Sequence, residues 1–161
     1  MPRPQTITTY LWFNGKAEEA VQFYTSIFPN SHVTRVARWG EGGPAPAGSI
    51  MTIAFELDGQ GFIALNGGPE FAFTPAISLL VTCRTQGEVD DRWRQLTADG
   101  GQPGPCGWLT DKFGVSWQVV PAGLVELMND PDPKAAGRVG RALMGMQKID
   151  LSVLQQAHRA A

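Results

Sequence analysis

From Thr6 the run TITTYLWF is β-branched and aromatic and ends at Asn14-Gly15. It predicts a strand, with Asn14 placed to cap a following helix by accepting a backbone N–H. In that helix Ala17, Ala20, Val21, Tyr24, Ile27 and Phe28 recur at spacings of three and four. One face is therefore apolar, and Pro29-Asn30 stops the helix. SHVTRVARW, SIMTIAFELDG and QGFIALNGG then read as three strands, with a Gly/Pro-rich loop over 40–48 and turns at Asp58-Gly59 and Asn66-Gly67-Gly68.

The same order recurs. AISLLVTC predicts a strand, and Gly87 to Ala98 a helix turning Val89, Trp93 and Leu96 inward, stopped at Gly100-Gly101. A strand around Cys106 to Leu109, then VSWQVVP and LVELM, complete a second set. The fold class is α+β: two tandem βαβββ modules over 6–70 and 76–130 within one domain spanning 1–161. A repeat of this kind leaves each half with a sheet face that the other half or a second chain must bury. Beyond Asp130-Pro131-Asp132-Pro133 the pattern becomes helical, giving a tail over 133–158. Its helices are expected over Ala135 to Met146 and Leu151 to Ala157, with Leu143, Met144, Met146 and Ile149 as the apolar side, to cover the sheet or a partner subunit.

Composition narrows the function. At 161 residues, 43% hydrophobic and 17% charged, the chain is globular rather than disordered or coiled-coil. A formal charge of −2 gives no positive field for phosphates, so nucleic acid is not an expected partner. No run approaches the ~20 apolar residues of a membrane span and MPRPQTITTY lacks a signal-peptide core, so a cytoplasmic protein without a membrane partner is expected. Two cysteines, Cys83 and Cys106, cannot build a disulfide scaffold and are read as reduced and structural. With only His32 and His158 in the chain, both read as surface residues, mechanisms needing several imidazoles are nearly excluded.

TYLWFNGKAEEAVQFYTSIFPNS, FIALNGGPEF, CGWLTDKFGVSWQVVP and RALMGMQKIDL closely resemble the PhnB-like branch of the glyoxalase/bleomycin-resistance/dioxygenase (vicinal oxygen chelate) superfamily. The resemblance runs from Ile7 to Leu154. It implies curled mixed sheets around a cavity, and a homodimer. The branch is often labelled 3-demethylubiquinone-9 3-methyltransferase, yet no glycine-rich turn joins a strand to a helix as S-adenosylmethionine sites commonly require. The methyltransferase label is therefore discounted.

Metal-dependent relatives take His and Glu ligands from the first and last strands of each module. Counting back from Phe23-Tyr24 puts Thr9 at the first such position and the equivalent count gives Ser78; the others fall near Asn66 and on Gln118. Neutral hydroxyls and amides supply no charge to offset the dehydration of a divalent ion, so no metal or other cofactor is expected. With Thr9 inward, alternation sends Leu11 and Phe13 into the cavity and Tyr10 and Trp12 toward the helix; Leu80 joins Ser78, and Ser116 and Val120 join Gln118. Thr9, Leu11, Phe13, Asn66, Ser78, Leu80 and Gln118 are thus the candidate cavity residues, and the same polar groups read equally as core residues paired to one another. Glu56 and Glu126 are strand carboxylates read as solvent-facing, and Asp111 is expected to order the DKFG turn through backbone N–H groups. The five tryptophans are read as mostly core or interface.

Three functions remain open. One is a binding or sequestering module for a small organic ligand. Another is a small-molecule enzyme of the glyoxalase or dioxygenase type, either with a weakly held metal or with Asn66 and Gln118 polarising a carbonyl. The third is a domain whose purpose is its pairing surface.

Overall fold

A computed structural model describes residues 6–160. The chain divides into two compact units, 1–73 and 74–161. In the first, β1 (Thr9–Phe13) leads to α1 (Ala17–Ile27), then β2 (His32–Arg38), β3 (Ile50–Leu57) and β4 (Gln60–Asn66). The sheet order is β1-β4-β3-β2, with β1 parallel to β4 and the other pairs antiparallel. The expected strand-helix order holds, except that β1 begins at Thr9 rather than Thr6.

Alternation along paired strands sorts this sheet into two faces. Leu11 and Phe13 share a face with Phe62, Ala64, Ile53 and Phe55, and all six are buried. Asn66, in register with Phe13, accepts the Ala17 N–H at 2.9 Å, which shows that α1 lies over this face. Ala17, Ala20, Val21, Tyr24 and Ile27 of α1 are buried in turn, as the periodicity predicted. The opposite face carries Tyr10, Trp12, Ile63 and Leu65 and is left open by α1; Tyr10 is 56% exposed.

The second unit repeats the order: β5 (Leu79–Cys83), α2 (Gln86–Leu96), β6 (Gln102–Pro103), β7 (Trp108–Thr110) and β8 (Ser116–Pro121), arranged β5-β8-β7-β6. Trp117, Val119, Cys83 and Leu109 form the buried face, which α2 covers with Val89 and Leu96. Trp93 is only half-buried. The expected strand around Cys106 starts at Trp108 instead, because Cys106 (φ 56°) and Gly107 (φ 84°) form a left-handed turn.

LVELM is also corrected, from strand to helix. Ala122 already has α-helical angles and α3 runs Gly123–Met128. Leu124 is buried and Leu127 partly so, while Val125 and Met128 are exposed, a spacing of three that a five-residue apolar run cannot declare by itself. The tail forms α4 (Pro133–Met144) and α5 (Leu151–Arg159), capped by Asp132 and Asp150. Leu124, Val139, Ile149 and Leu154 make its core, with Val120 of β8 packed against it. Met144, expected on the apolar side, is instead 75% exposed. Gln86 ties the tail to α2, donating to the Ile149 carbonyl and accepting from the Leu151 N–H, both at 2.9 Å. Among the described residues no helix is long and apolar enough to cross a membrane.

Candidate functional site

The candidate residues fall on different faces in the two units. Ser78 and Gln118 sit on the open side of their sheet with Leu80, which is in register with Gln118 and 58% exposed. Gln118 donates from Nε2 to the Ser78 hydroxyl at 2.9 Å, so these two polar groups satisfy each other. Ser116 and Val120 have the same parity along β8, but Ser116 is 3% exposed and Val120 packs against the tail core.

In the first unit the expected orientation of β1 is reversed. Leu11 and Phe13 are 6% and 3% exposed beneath α1, and half-buried Thr9 has the same parity, whereas Tyr10 and Trp12 point to the open side. The cause is one residue in the strand-helix connection. Three residues, 14–16, separate Phe13 from Ala17, but only two, 84–85, separate Cys83 from Gln86. Equal counts back from the helices therefore land one residue apart along the strands, and a one-residue shift exchanges the faces. By strand position Tyr10 corresponds to Leu80, and Ile63 to Gln118.

Asn66 also has a structural task. Its Oδ1 caps α1 at Ala17, and its Nδ2 donates to the Ile50 carbonyl at 3.2 Å. Asn14 does not cap the helix; the N-cap position is Lys16, whose side chain makes no cap bond. In α2 the cap is local, with Thr85 Oγ1 accepting from the Glu88 N–H at 3.1 Å.

A cleft of about 590 Å³ opens where β1 and β4 end, beneath the loop that follows β2. Trp12, Trp39, Ile50 and Leu65 line it, with Asn14, Glu18 and the Gly67-Gly68 backbone at its polar margin. Trp12 is fixed in place: its Nε1 donates to the Gly68 carbonyl at 3.0 Å and Phe71 meets its ring edge-on at 5.0 Å. A Cβ on Gly67 would fall 2.3 Å from the Trp12 ring, so only glycine lets the indole lie against the backbone there. Alternation counted from Thr9 predicts Trp12 on the helix side, and Trp39 is expected in the core or an interface; the cleft takes both. Glu18 reads in the sequence only as an acidic first-turn residue. The length of the 14–16 connection was the available signal for Trp12.

A smaller recess of about 370 Å³ in the second unit is lined by Pro75, Pro103, Pro105, Trp108 and Ser116. Beside it in sequence, Asp111 is 3% exposed and orders its turn as expected. Oδ1 accepts from the Phe113 and Val115 N–H groups at 2.8 and 3.0 Å, and Oδ2 from the Trp117 indole at 2.8 Å.

Burial, then the nearby Glu88 carboxylate, pushes the Cys83 thiol up to about 11, which keeps it protonated and unreactive. Cys106 Sγ lies 3.5 Å from the Leu143 carbonyl and 3.8 Å from Met144 Sδ. His32 is exposed on the edge strand β2, and His158 pairs with Asp130 at 2.8 Å. Glu56 is half-buried on the open side of β3, in register with His32, and Glu126 lies exposed on α3 rather than on a strand.

The family described as 3-demethylubiquinone-9 3-methyltransferase matches residues 5–120. A Bacillus cereus structure described as a putative 3-demethylubiquinone-9 3-methyltransferase, PhnB protein, is 42% identical and covers 73% of this chain and 100% of its own, with a TM-score of 0.65. The chain belongs to this PhnB-like family of the vicinal oxygen chelate superfamily. At the level of fold alone it is similar to protein PA1353 from Pseudomonas aeruginosa, at 22% identity over 73% of this chain and 97% of that one, TM-score 0.60. It is likewise similar in fold to the fosfomycin resistance protein FosX from Listeria monocytogenes, at 14% identity over 76% and 96%, TM-score 0.54. No curated protein matches the chain.

Neither group that this ancestry implies fits the residues present. At the strand positions from which metal-dependent relatives draw their ligands, one unit offers Thr8 and Ile63 and the other the mutually bonded Ser78 and Gln118. Among the described residues no three His, Cys, Asp or Glu side chains converge as a metal set. Divalent transition metals need imidazole, thiolate or carboxylate donors, and this set is uncharged. For S-adenosylmethionine, the strand-helix turns are Asn14-Gly15-Lys16 and Arg84-Thr85, neither of them glycine-rich.

Proposed function

We propose that the protein binds a small organic molecule in the cleft walled by Trp12 and Trp39, without a resident metal. The observation that carries this reading is the cleft itself: about 590 Å³, walled by two indoles and two aliphatic side chains, with a few polar groups at one margin. That size and composition suit a small-molecule site. The fixed pose of Trp12 supports it further, since a preformed wall loses little freedom on binding.

Methyl transfer, which the family's description names, gains no support from the strand-helix turns. Glyoxalase- or dioxygenase-type catalysis gains none from the strand donors. Within this reading Ser78 and Gln118 serve as a structural pair and Asn66 as a helix cap. We also propose a homodimer, supported by the apolar side chains of Tyr10 and Leu80 that remain exposed on the open faces.

The test is a thermal-shift screen of chemically varied small molecules: acids, amines, quinones and antibiotics. A ligand bound only by the folded state raises the melting temperature. The reading predicts at least one stabilising compound whose effect is lost in Trp39→Ala. Uniform indifference, or stabilisation that survives Trp39→Ala and Trp12→Ala alike, would overturn it.

A further inference from the structure

We infer that the cleft selects an organic cation, an ammonium group on a small apolar body; this rests on the small-molecule reading above. Among the described residues lining the cleft, Glu18 alone carries a charge, and it stands at the margin of a space walled by Trp12 and Trp39. Indole faces attract cations through their quadrupole, and quaternary ammonium groups are recognised by aromatic walls of this kind. A carboxylate beside such walls adds a direct Coulombic attraction.

The cations flanking the cleft residues in sequence already have partners. Lys16 pairs with Glu19 at 3.4 Å, and Arg38 donates from Nη1 to the Gly48 carbonyl at 2.8 Å. A helix N-terminus ordinarily favours an anion. Here the Ala17 N–H is already taken by Asn66, and Glu18 and Glu19 both occupy the first turn of α1. The formal charge on the described cleft lining is therefore negative.

Choline and its neutral isostere 3,3-dimethylbutan-1-ol differ only in whether the central atom carries a charge, and benzoate supplies the opposite sign. Isothermal titration calorimetry on the intact protein should find choline bound at least ~5-fold more tightly than the isostere, with benzoate weakest. Glu18→Gln should reduce choline affinity ~5-fold or more and leave the isostere unchanged, while Trp39→Ala weakens both. Glu126→Gln, exposed on α3 and outside the cleft lining, is the control and should change choline affinity by less than ~2-fold. Equal binding of choline and isostere, preference for benzoate, or indifference to Glu18→Gln would overturn the cation assignment while leaving the small-molecule reading to its own screen. Failure of choline to bind at millimolar concentration would also overturn it, and a positive screen would then show that only the charge class was wrong.

Discussion

The two βαβββ units share an order of elements but solve the same structural problems with different residues. The first unit caps its helix from a distance, through Asn66 at the far end of β4, while the second uses Thr85, adjacent to α2. The turn between the last two strands is Asp58-Gly59 in the first unit, both with positive φ, a tight hairpin. In the second unit it is a longer turn wrapped around the buried Asp111 carboxylate. On the open side, apolar Tyr10, Trp12, Ile63 and Leu65 contrast with the Ser78–Gln118 pair. A duplicated frame thus fixes the backbone without fixing which unit keeps polar groups and which offers an apolar site.

The largest expected effect breaks the contrast between the turns. Asp111→Ala removes the carboxylate that accepts from two backbone N–H groups and an indole N–H, and is expected to cost about 3–5 kcal/mol in urea unfolding. Asp58→Ala, at an exposed left-handed position, should cost only about 1 kcal/mol. Next come the caps. Asn66→Ala removes both the α1 cap and the bond to Ile50, for about 2 kcal/mol, against about 1 kcal/mol for Thr85→Ala. Equal losses at the two caps would show that the second Asn66 bond contributes nothing.

Acid should separate the units more gently. Asp90, Asp130 and Asp150, all in the second unit, have carboxyls held below the usual range: Asp90 first by Lys148, Asp130 first by the Asp132 N–H and Asp150 first by Ser152. A carboxylate lowered in the folded state stabilises it above the unfolded-state pKa, and that contribution is lost as pH falls through the lowered folded value. Hydrogen exchange below about pH 4 should therefore show the second unit and its tail losing protection before the first. The reverse order would contradict the assignment.

Much of the fold was legible because the apolar periodicity of α1, the strand runs and the turns at Asp58-Gly59 and Asn66-Gly67-Gly68 all agree locally. LVELM was not legible, since five apolar-rich residues fit either period until Pro121 and Gly123 are seen to turn the chain into α3. The site was less legible for a subtler reason. Ser78 falls on the open face because the 84–85 connection suits the count back from the helix, and Gln118, placed by its distance after Asp111-Lys112-Phe113-Gly114, is bonded to it. The single additional residue in 14–16 moved Leu11 and Phe13 under the helix and left Trp12 to the cleft. Trp39 and Glu18 come together only through the loop after β2 and the start of α1, a juxtaposition that no local period encodes.

A heteronuclear NMR titration tests the central claim most directly, using the strongest stabiliser from the screen and following indole and side-chain amide resonances together. The account predicts that the Trp12 and Trp39 indole N–H signals shift in saturable fashion while the Gln118 side-chain amide stays still. Saturable shifts confined to Gln118 and its Ser78 neighbourhood, with both indoles unmoved, would place the ligand in the other unit and contradict the account.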